Sequence, residues 1–145
     1  MKGNSMDKRV VLVSHNRLAE GMAGTVKMIF GADVEAHCLT PDGSVVELGR
    51  AVREGALAHP DAQTVVVADI LGGSVCNQCL QDLYGMDNVK VVAGMSLPLV
   101  IGLLSIDGAL SDADIEQAIE AARATTQLVT LEVADDPADA EDDFF

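Results

Sequence analysis

Residues 64–74 of the chain read TVVVADILGGS. The first five are mostly β-branched and do not alternate with polar residues, a pattern typical of a short strand buried on both faces of a parallel sheet. Asp69 ends this run, and the Gly-Gly-Ser sequence that follows leads into a segment that we predict to be helical as far as residue 84. A buried strand that passes directly into a helix is the building unit of α/β folds.

The same alternation of short apolar runs and helical periods extends to both sides of this stretch. It predicts further strands over 8–13, 34–39, 89–93 and 128–133, and further helices over 16–30, 44–58, 98–104 and 111–126. This order implies an α/β fold with a mainly parallel central sheet, right-handed crossovers and helices on both faces. The segment 128–133 alternates apolar with polar residues, so we place it at an edge of the sheet. In such sheets, ligands bind beyond the carboxyl ends of the strands.

The length, composition and net charge of the chain exclude several classes of function. The chain has 145 residues, of which 49% are hydrophobic, and this suits a single domain. Its net charge of −14 argues against binding of nucleic acid or an anionic membrane and favours a basic protein partner. There is neither an apolar run long enough to span a membrane nor a signal peptide, so we expect a cytoplasmic protein without direct membrane insertion. We divide the chain into a flexible N-terminus (1–7), a folded domain (8–133) and an acidic, disordered tail (134–145).

Two predicted strands end in polar groups of complementary chemistry. The first ends at His15 and the third is followed by Asp69, so in neighbouring strands both would face one crevice. A carboxylate bound to one imidazole nitrogen fixes the tautomer and leaves the other nitrogen as a nucleophile. Gly72, Gly73 and Ser74 then open a helix, whose free N–H groups favour an anion. Each feature alone also fits a structural role, but together they indicate an anion site beside a nucleophilic histidine, with no metal or cofactor.

Three motifs resemble one known family. Residues 10–21 (VVLVSHNRLAEG), 69–74 (DILGGS) and 93–98 (AGMSLP) are similar, in order and spacing, to the motifs of mannose-type IIA domains of the sugar phosphotransferase system (PTS). The resemblance covers about residues 8–133. The chain departs from the family pattern at Asn16, which replaces a glycine, at Val75, which replaces a proline, and at Ser96, which replaces an asparagine. Asparagine tolerates unusual backbone angles better than most residues.

The resemblance implies a phosphotransferase that carries a phosphoryl group as phosphohistidine. The phosphocarrier protein HPr would donate the group to His15, and a IIB domain would accept it for sugar uptake through membrane IIC and IID subunits. Asp69 would orient the His15 ring, and Ser74 with the backbone of residues 72–74 would hold the phosphoryl oxygens. The resemblance further implies a homodimer in which the strand 128–133 is exchanged. It does not specify the sugar.

Other interpretations remain open at this point. A phosphorylated sensor that acts on a protein partner would share the same site residues. Cys76 and Cys79 form a CxxC pair after a strand, as in thiol-redox proteins, but they also fit a role as small packing residues. His37 and His59 are weaker candidates for phosphorylation, because the first lies within a predicted strand and the second in a turn. Met22, Leu71 and Leu97 are candidates for an apolar contact with a partner.

Overall fold

A computed structural model of the chain describes residues 6–132. It contains four strands, β1 Asp7–His15, β2 Glu35–Leu39, β3 Ala62–Ala68 and β4 Val89–Ala93. Its five helices are α1 Leu18–Phe30, α2 Val45–Ala58, α3 Ser74–Leu83, α4 Leu97–Ser105 and α5 Asp112–Ala124. The predicted order of elements is confirmed up to α5. Asp7, which we assigned to the N-terminal segment, is the first residue of β1.

The four strands form one parallel sheet in the order β2-β1-β3-β4. The two strands whose ends carry polar groups, β1 and β3, are therefore neighbours at the centre of the sheet. Their register pairs Val13 with Ala68. This register brings the residues that follow these positions to the same edge of the sheet.

Alternate residues of the central strands point into two separate cores. Val10 and Leu12 of β1 pack with α1, α4 and α5, whereas Val11 and Val13 pack with α2 and α3. The strands read as continuous apolar runs because both of their faces are covered. The predicted α/β architecture with helices on both faces is confirmed.

Serine side chains fix the start of several helices. The hydroxyls of Ser44, Ser96 and Ser111 each accept a hydrogen bond from a backbone N–H in the first turn of α2, α4 and α5, respectively. At Ser111 the bond is reciprocated, because the carboxylate of Asp114 accepts from the Ser111 N–H at 3.0 Å. Such caps satisfy N–H groups that lack a partner within the helix.

The fifth strand, predicted over 128–133, is not formed in the described part of the chain. Residues 128–132 have no regular secondary structure, and Leu128 and Leu131 are 99% and 98% exposed. Val133 and the tail 134–145 lie outside the described residues, as do residues 1–5 of the N-terminus. Alternation of apolar and polar residues predicts an extended segment, but a strand also needs a hydrogen-bonding neighbour, and within residues 6–132 this segment has none.

Candidate functional site

The site is built at the carboxyl ends of the two central strands. His15 is the last residue of β1, and Asp69 follows the last residue of β3. One carboxylate oxygen, Oδ2 of Asp69, accepts from the backbone N–H of His15 at 2.8 Å and lies 2.8 Å from Nδ1 of the His15 ring. The juxtaposition of His15 and Asp69 expected from the sequence is present.

Asp69 is held in its ionised form. Its side chain is only 10% exposed, and its second oxygen accepts from the N–H of Ile70 at 3.0 Å. Burial is the largest single influence and raises the pKa of Asp69, but the hydrogen bonds from His15 and Ile70 and the charge interaction with His15 together outweigh it. The net effect is a pKa for Asp69 below the ordinary carboxyl value.

The ionised carboxylate decides the tautomer of His15. A carboxylate can only accept hydrogen bonds, so the short contact requires a proton on Nδ1 of His15. In the neutral ring, Nε2 then carries the lone pair, and it lies 3.1 Å from the hydroxyl oxygen of Ser74. The His15 side chain is 44% exposed, so part of the ring is in contact with solvent. The neutral ring in this tautomer has its lone pair on Nε2, the nitrogen that could act as a nucleophile.

The Gly72-Gly73 turn brings the start of α3 against the ring. Gly72 has a φ of +81°, in the left-handed region that glycine adopts without strain. A Cβ atom at Gly73 would lie 2.7 Å from Cγ2 of Ile70 and 3.1 Å from Cε1 of His15, so a side chain there would crowd the imidazole. Ser74 is the first residue of α3, and the first turn of a helix offers N–H groups and a positive dipole end to an anion.

Asn16 and Ser14, the two neighbours of His15 in the chain, help to fix the backbone around it, which the sequence indicated only in part. Asn16 has a φ of +51°, so the position where the family has glycine does adopt left-handed backbone. Ser14 was not singled out: it is fully buried, and its hydroxyl accepts from the N–H of Ala19 at 2.7 Å, linking β1 to the first turn of α1. A polar residue at the end of an apolar strand, just before a helix, was the available signal.

The third motif supports the end of β3. Gly94 and Met95 both donate their N–H groups to the carbonyl of Ala68, the residue before Asp69, at 3.0 and 3.1 Å. Gly94 has a φ of +95°, and Ser96 caps α4 by accepting from the N–H of Leu99. This loop therefore fixes the backbone from which Asp69 projects.

A family model described as EIIA-man, PTS system fructose IIA component, matches residues 9–123. This chain belongs to that family. The resemblance of the three motifs to mannose-type IIA domains is thereby confirmed. Membership of the IIA family carries a general role in phosphoryl transfer within a sugar phosphotransferase system.

Individual relatives agree with this assignment. The chain is 27% identical over 112 residues to a PTS system sorbose-specific EIIA component of Klebsiella pneumoniae, covering 77% of this chain and 83% of the relative. A PTS IIA protein associated with the fucose utilization operon of Streptococcus pneumoniae has the same fold, with a TM-score of 0.74, 24% identity and coverage of 86% of this chain and 94% of that one. A mannose/sorbose specific IIA subunit from Enterococcus faecalis gives a TM-score of 0.73 at 22% identity and covers 89% and 99% of the two chains.

The remaining candidate residues lie outside this constellation. His37 contacts Glu35 at 2.8 Å through Nε2, and Nδ1 of His59 lies 2.8 Å from the carbonyl oxygen of Gly55. Among residues 6–132, neither of these two imidazoles forms a hydrogen bond with Asp69 or Ser74. Leu71 is 78% exposed beside the site, as a contact residue would be, whereas Met22 and Leu97 are partly buried.

The structure gives Cys76 and Cys79 the surroundings of packing residues. They are 1% and 0% exposed and belong to the core beneath α2 and α3. Burial, followed by the nearby thiol of Cys76 and the carboxylate of Asp82, raises the pKa of the Cys79 thiol to about 12. Burial also raises the pKa of Cys76. Reactive thiols need a lowered pKa and access to solvent, and these two cysteines have neither.

We expect thiol reagents to distinguish these cysteines from Cys38. At pH 8, a thiol with a pKa near 12 is protonated in all but about one molecule in ten thousand, and burial blocks access as well. A coloured disulfide reagent should therefore titrate at most one fast thiol, the partly exposed Cys38, and three after denaturation. The Cys38→Ser variant should show none in the native state. Fast reaction of Cys76, or a reversible Cys76–Cys79 disulfide, would revive the redox interpretation.

Within residues 6–132, no group of three or more His, Cys, Asp or Glu side chains is arranged to hold a metal ion. None of the helices described above combines the length and the apolar character needed to cross a membrane.

Proposed function

We propose that this chain is a phosphohistidine carrier, which accepts a phosphoryl group on Nε2 of His15 from phosphorylated HPr and passes it to a IIB domain. The observation that carries the proposal is the 2.8 Å contact between Nδ1 of His15 and the ionised Asp69, which in the neutral ring puts the lone pair on Nε2, beside Ser74. We further propose that this transfer takes place in the cytoplasm and serves sugar uptake through membrane IIC and IID subunits. The sugar would be selected by those subunits.

Each residue of the site would have a separate role in the transfer. Nε2 attacks the phosphorus of the donor's phosphohistidine, the new P–N bond forms, and the P–N bond to the donor imidazole breaks. The proton on Nδ1 stays in place, because Asp69 stabilises the positive charge that develops on the ring. Ser74 and the N–H groups at residues 72–74 would bind the phosphoryl oxygens, and the Gly73 N–H would exchange its 3.3 Å hydrogen bond to the Ile70 carbonyl for one of them. Transfer between two imidazoles has little driving force, so positioning and charge stabilisation dominate.

Exposed apolar side chains in the segments next to His15 indicate that this surface contacts a protein and not only a small molecule. Ile70 and Leu71, in the turn between β3 and α3, are 57% and 78% exposed, and Leu18 at the start of α1 is 49% exposed. Apolar residues at the centre of a surface and polar residues around it are the usual anatomy of a protein interface. The donor and the acceptor would approach His15 over this surface in turn.

The decisive experiment is reconstitution. The chain is incubated with phosphoenolpyruvate, enzyme I and HPr, the phosphorylated residue is mapped, and a IIB domain is then added. Labelling of His15 followed by discharge to IIB supports the carrier role. A label that forms but never moves to a IIB domain favours the sensor interpretation. The absence of any label contradicts the proposal.

We also propose a homodimer in which the segment 128–133 of one chain pairs with β4 of the other. Within the described chain, β4 is an edge strand with a single neighbour, and the exposed Leu128, Val129 and Leu131 need a surface to cover them. A groove of about 300 Å³ lies between α3 and β4, lined by side chains that include Leu80, Tyr84 and Val91.

Two truncations test the dimer. A variant ending at residue 127 should be a monomer, because it lacks the pairing segment, whereas a control variant ending at residue 133 should stay a dimer. Sedimentation equilibrium gives the mass of each, and circular dichroism shows whether the shorter variant is folded. A dimer that persists without residues 128–133 contradicts strand exchange. A variant that also unfolds would show that the segment supports the fold as well, and Leu131→Asp in the full chain then provides the milder test.

A further inference from the structure

Arg17 is a cation close in sequence to the candidate nucleophile. It follows His15 by two residues and occupies the N-cap position of α1. Two residues of chain span at most about 7 Å, and the left-handed turn at Asn16 shortens that distance. Its long side chain can therefore reach the region of the His15 ring.

The guanidinium of Arg17 is held by a weak and replaceable contact. Its Nη2 and Nε donate to the two carboxylate oxygens of Glu20 at 3.1 and 3.4 Å, and the two side chains are 73% and 61% exposed. The hydrogen bond to Glu20 and the negative charge of Glu20 raise the pKa of Arg17, so the cation stays charged. Exposed ion pairs of this kind contribute little to stability, because water competes for both partners. Arg17 can leave Glu20 at little cost.

A phosphoryl group on Nε2 would be a stronger partner than Glu20. It carries up to two negative charges on oxygens arranged for bidentate contact with a guanidinium. Three cations of the described chain are engaged away from this edge: Arg9 with Glu35 at the start of the strands, Lys27 with Asp33 at the end of α1, and Lys90 with Asp112. Arg123, paired with Glu120 at the end of α5, lines a groove with Gly94 and Ser96, whereas Arg17 is two residues from His15 in the chain. Ser74 and the start of α3 supply neutral donors but no full positive charge.

We infer that Arg17 is a phosphoryl-binding residue, which exchanges Glu20 for the phosphoryl group once His15 is phosphorylated. This inference rests on the proposed function, because it assumes phosphorylation of His15. Glu20 is then the partner of Arg17 in the unphosphorylated chain. The exchange makes the surface around His15 differ between the two states, since Glu20 is left unpaired in one of them.

The test uses a small phosphoryl donor, so that it does not depend on HPr. Phosphoramidate, whose nitrogen is already protonated in water, reacts with Nε2 of His15: the new P–N bond forms, the P–N bond of the reagent breaks, and ammonia leaves. Phosphorus NMR then follows the second ionisation of the phosphoryl group on His15 across pH 5–8. A bound guanidinium favours the dianion, so it lowers the pH at which that ionisation occurs.

We expect Arg17→Ala to raise the proton affinity of the phosphoryl group about three- to tenfold, the effect of losing one charge-assisted contact at an exposed site. Arg17→Lys should give a smaller change, because lysine keeps the charge but not the bidentate geometry. Glu20→Gln should leave the proton affinity unchanged or lower it, since it frees Arg17. Lys27→Ala is the matched control, because it removes one cation from the same helix at a distance from His15, and it should have no effect.

Three results would overturn the inference. One is an unchanged titration in Arg17→Ala, and another is an equal shift in Lys27→Ala, which would reduce the effect to net charge. The third is failure of phosphoramidate to label His15, because the inference requires a phosphoryl group on that residue. These outcomes are distinct from failure of the proposed function, which would appear as a His15 that phosphoramidate labels but phosphorylated HPr does not.

Discussion

The His15→Ala variant is expected to take up no phosphoryl group from phosphorylated HPr, against near-stoichiometric labelling of the unchanged chain. The nucleophile in the proposed transfer is Nε2 of His15, and alanine offers no replacement. The measurement is radiolabelling from phosphoenolpyruvate through enzyme I and HPr. His15 is more than a third exposed and is not part of either core, so the variant should fold with little change in stability.

The chain itself supplies the controls for this experiment. It contains three histidines, so His37→Ala and His59→Ala complete the set. Both controls should be labelled like the unchanged chain, because their rings contact Glu35 and the Gly55 carbonyl rather than the site. Label that survives in His15→Ala, or that disappears in either control, would show that the phosphoryl group resides elsewhere.

The Asp69→Asn variant is expected to slow phosphorylation of His15 by on the order of 10²–10⁴-fold, the range found when a group that orients and stabilises a catalytic imidazole is neutralised. The amide no longer stabilises positive charge on the ring. It can also donate to Nδ1 and thereby select the tautomer with its proton on Nε2. Rapid-quench measurement of a single phosphorylation event gives the rate, and nitrogen NMR of the imidazole reports the tautomer directly.

A second carboxylate provides the matched control. Asp82 on α3 accepts from Gln78 and does not contact His15, so Asp82→Asn should leave the rate of phosphorylation unchanged. An Asp69→Asn variant that is phosphorylated as fast as the Asp82→Asn control would exclude the proposed orienting role.

Asp69 should also affect stability in a pH-dependent way. Since the pKa of Asp69 is lowered in the folded chain, the ionised form stabilises the fold above the ordinary carboxyl pKa. This contribution is lost as the pH falls through the lowered pKa. The difference in free energy of unfolding between the unchanged chain and Asp69→Asn should therefore be present at neutral pH and shrink in strong acid.

Local sequence was sufficient to predict most of the elements. The continuous apolar runs at 8–13 and 64–68 indicated strands covered on both faces, and the two cores on either side of the sheet explain why those runs do not alternate. The serines before α2, α4 and α5 marked helix starts because capping is a contact between residues close in sequence. Helix α1 begins at Leu18 rather than residue 16, because the left-handed turn at Asn16 delays it.

The sequence predicted a fifth strand over 128–133, but residues 128–132 do not form a strand in the described part of the chain. The alternating pattern of residues 128–133 is typical of a strand at the edge of a sheet. Whether such a segment pairs with a strand depends on where the sheet has a free edge and whether the chain can reach that edge. In the same way, the CxxC spacing of Cys76 and Cys79 gave no information on burial. Their raised thiol pKa values arise from the surrounding core, which residues far apart in sequence assemble.

For the candidate site, the sequence by itself determined the chemical groups: an imidazole at one strand end, a carboxylate at another, and a Gly-Gly-Ser turn before a helix. Only the tertiary structure decided how they act together. The parallel pairing of β1 with β3 brings Asp69 to Nδ1 of His15, and the turn at Gly73 brings Ser74 to Nε2. The physical reason is that a tautomer depends on contacts of about 3 Å between residues more than fifty positions apart, and sequence patterns report only neighbours along the chain.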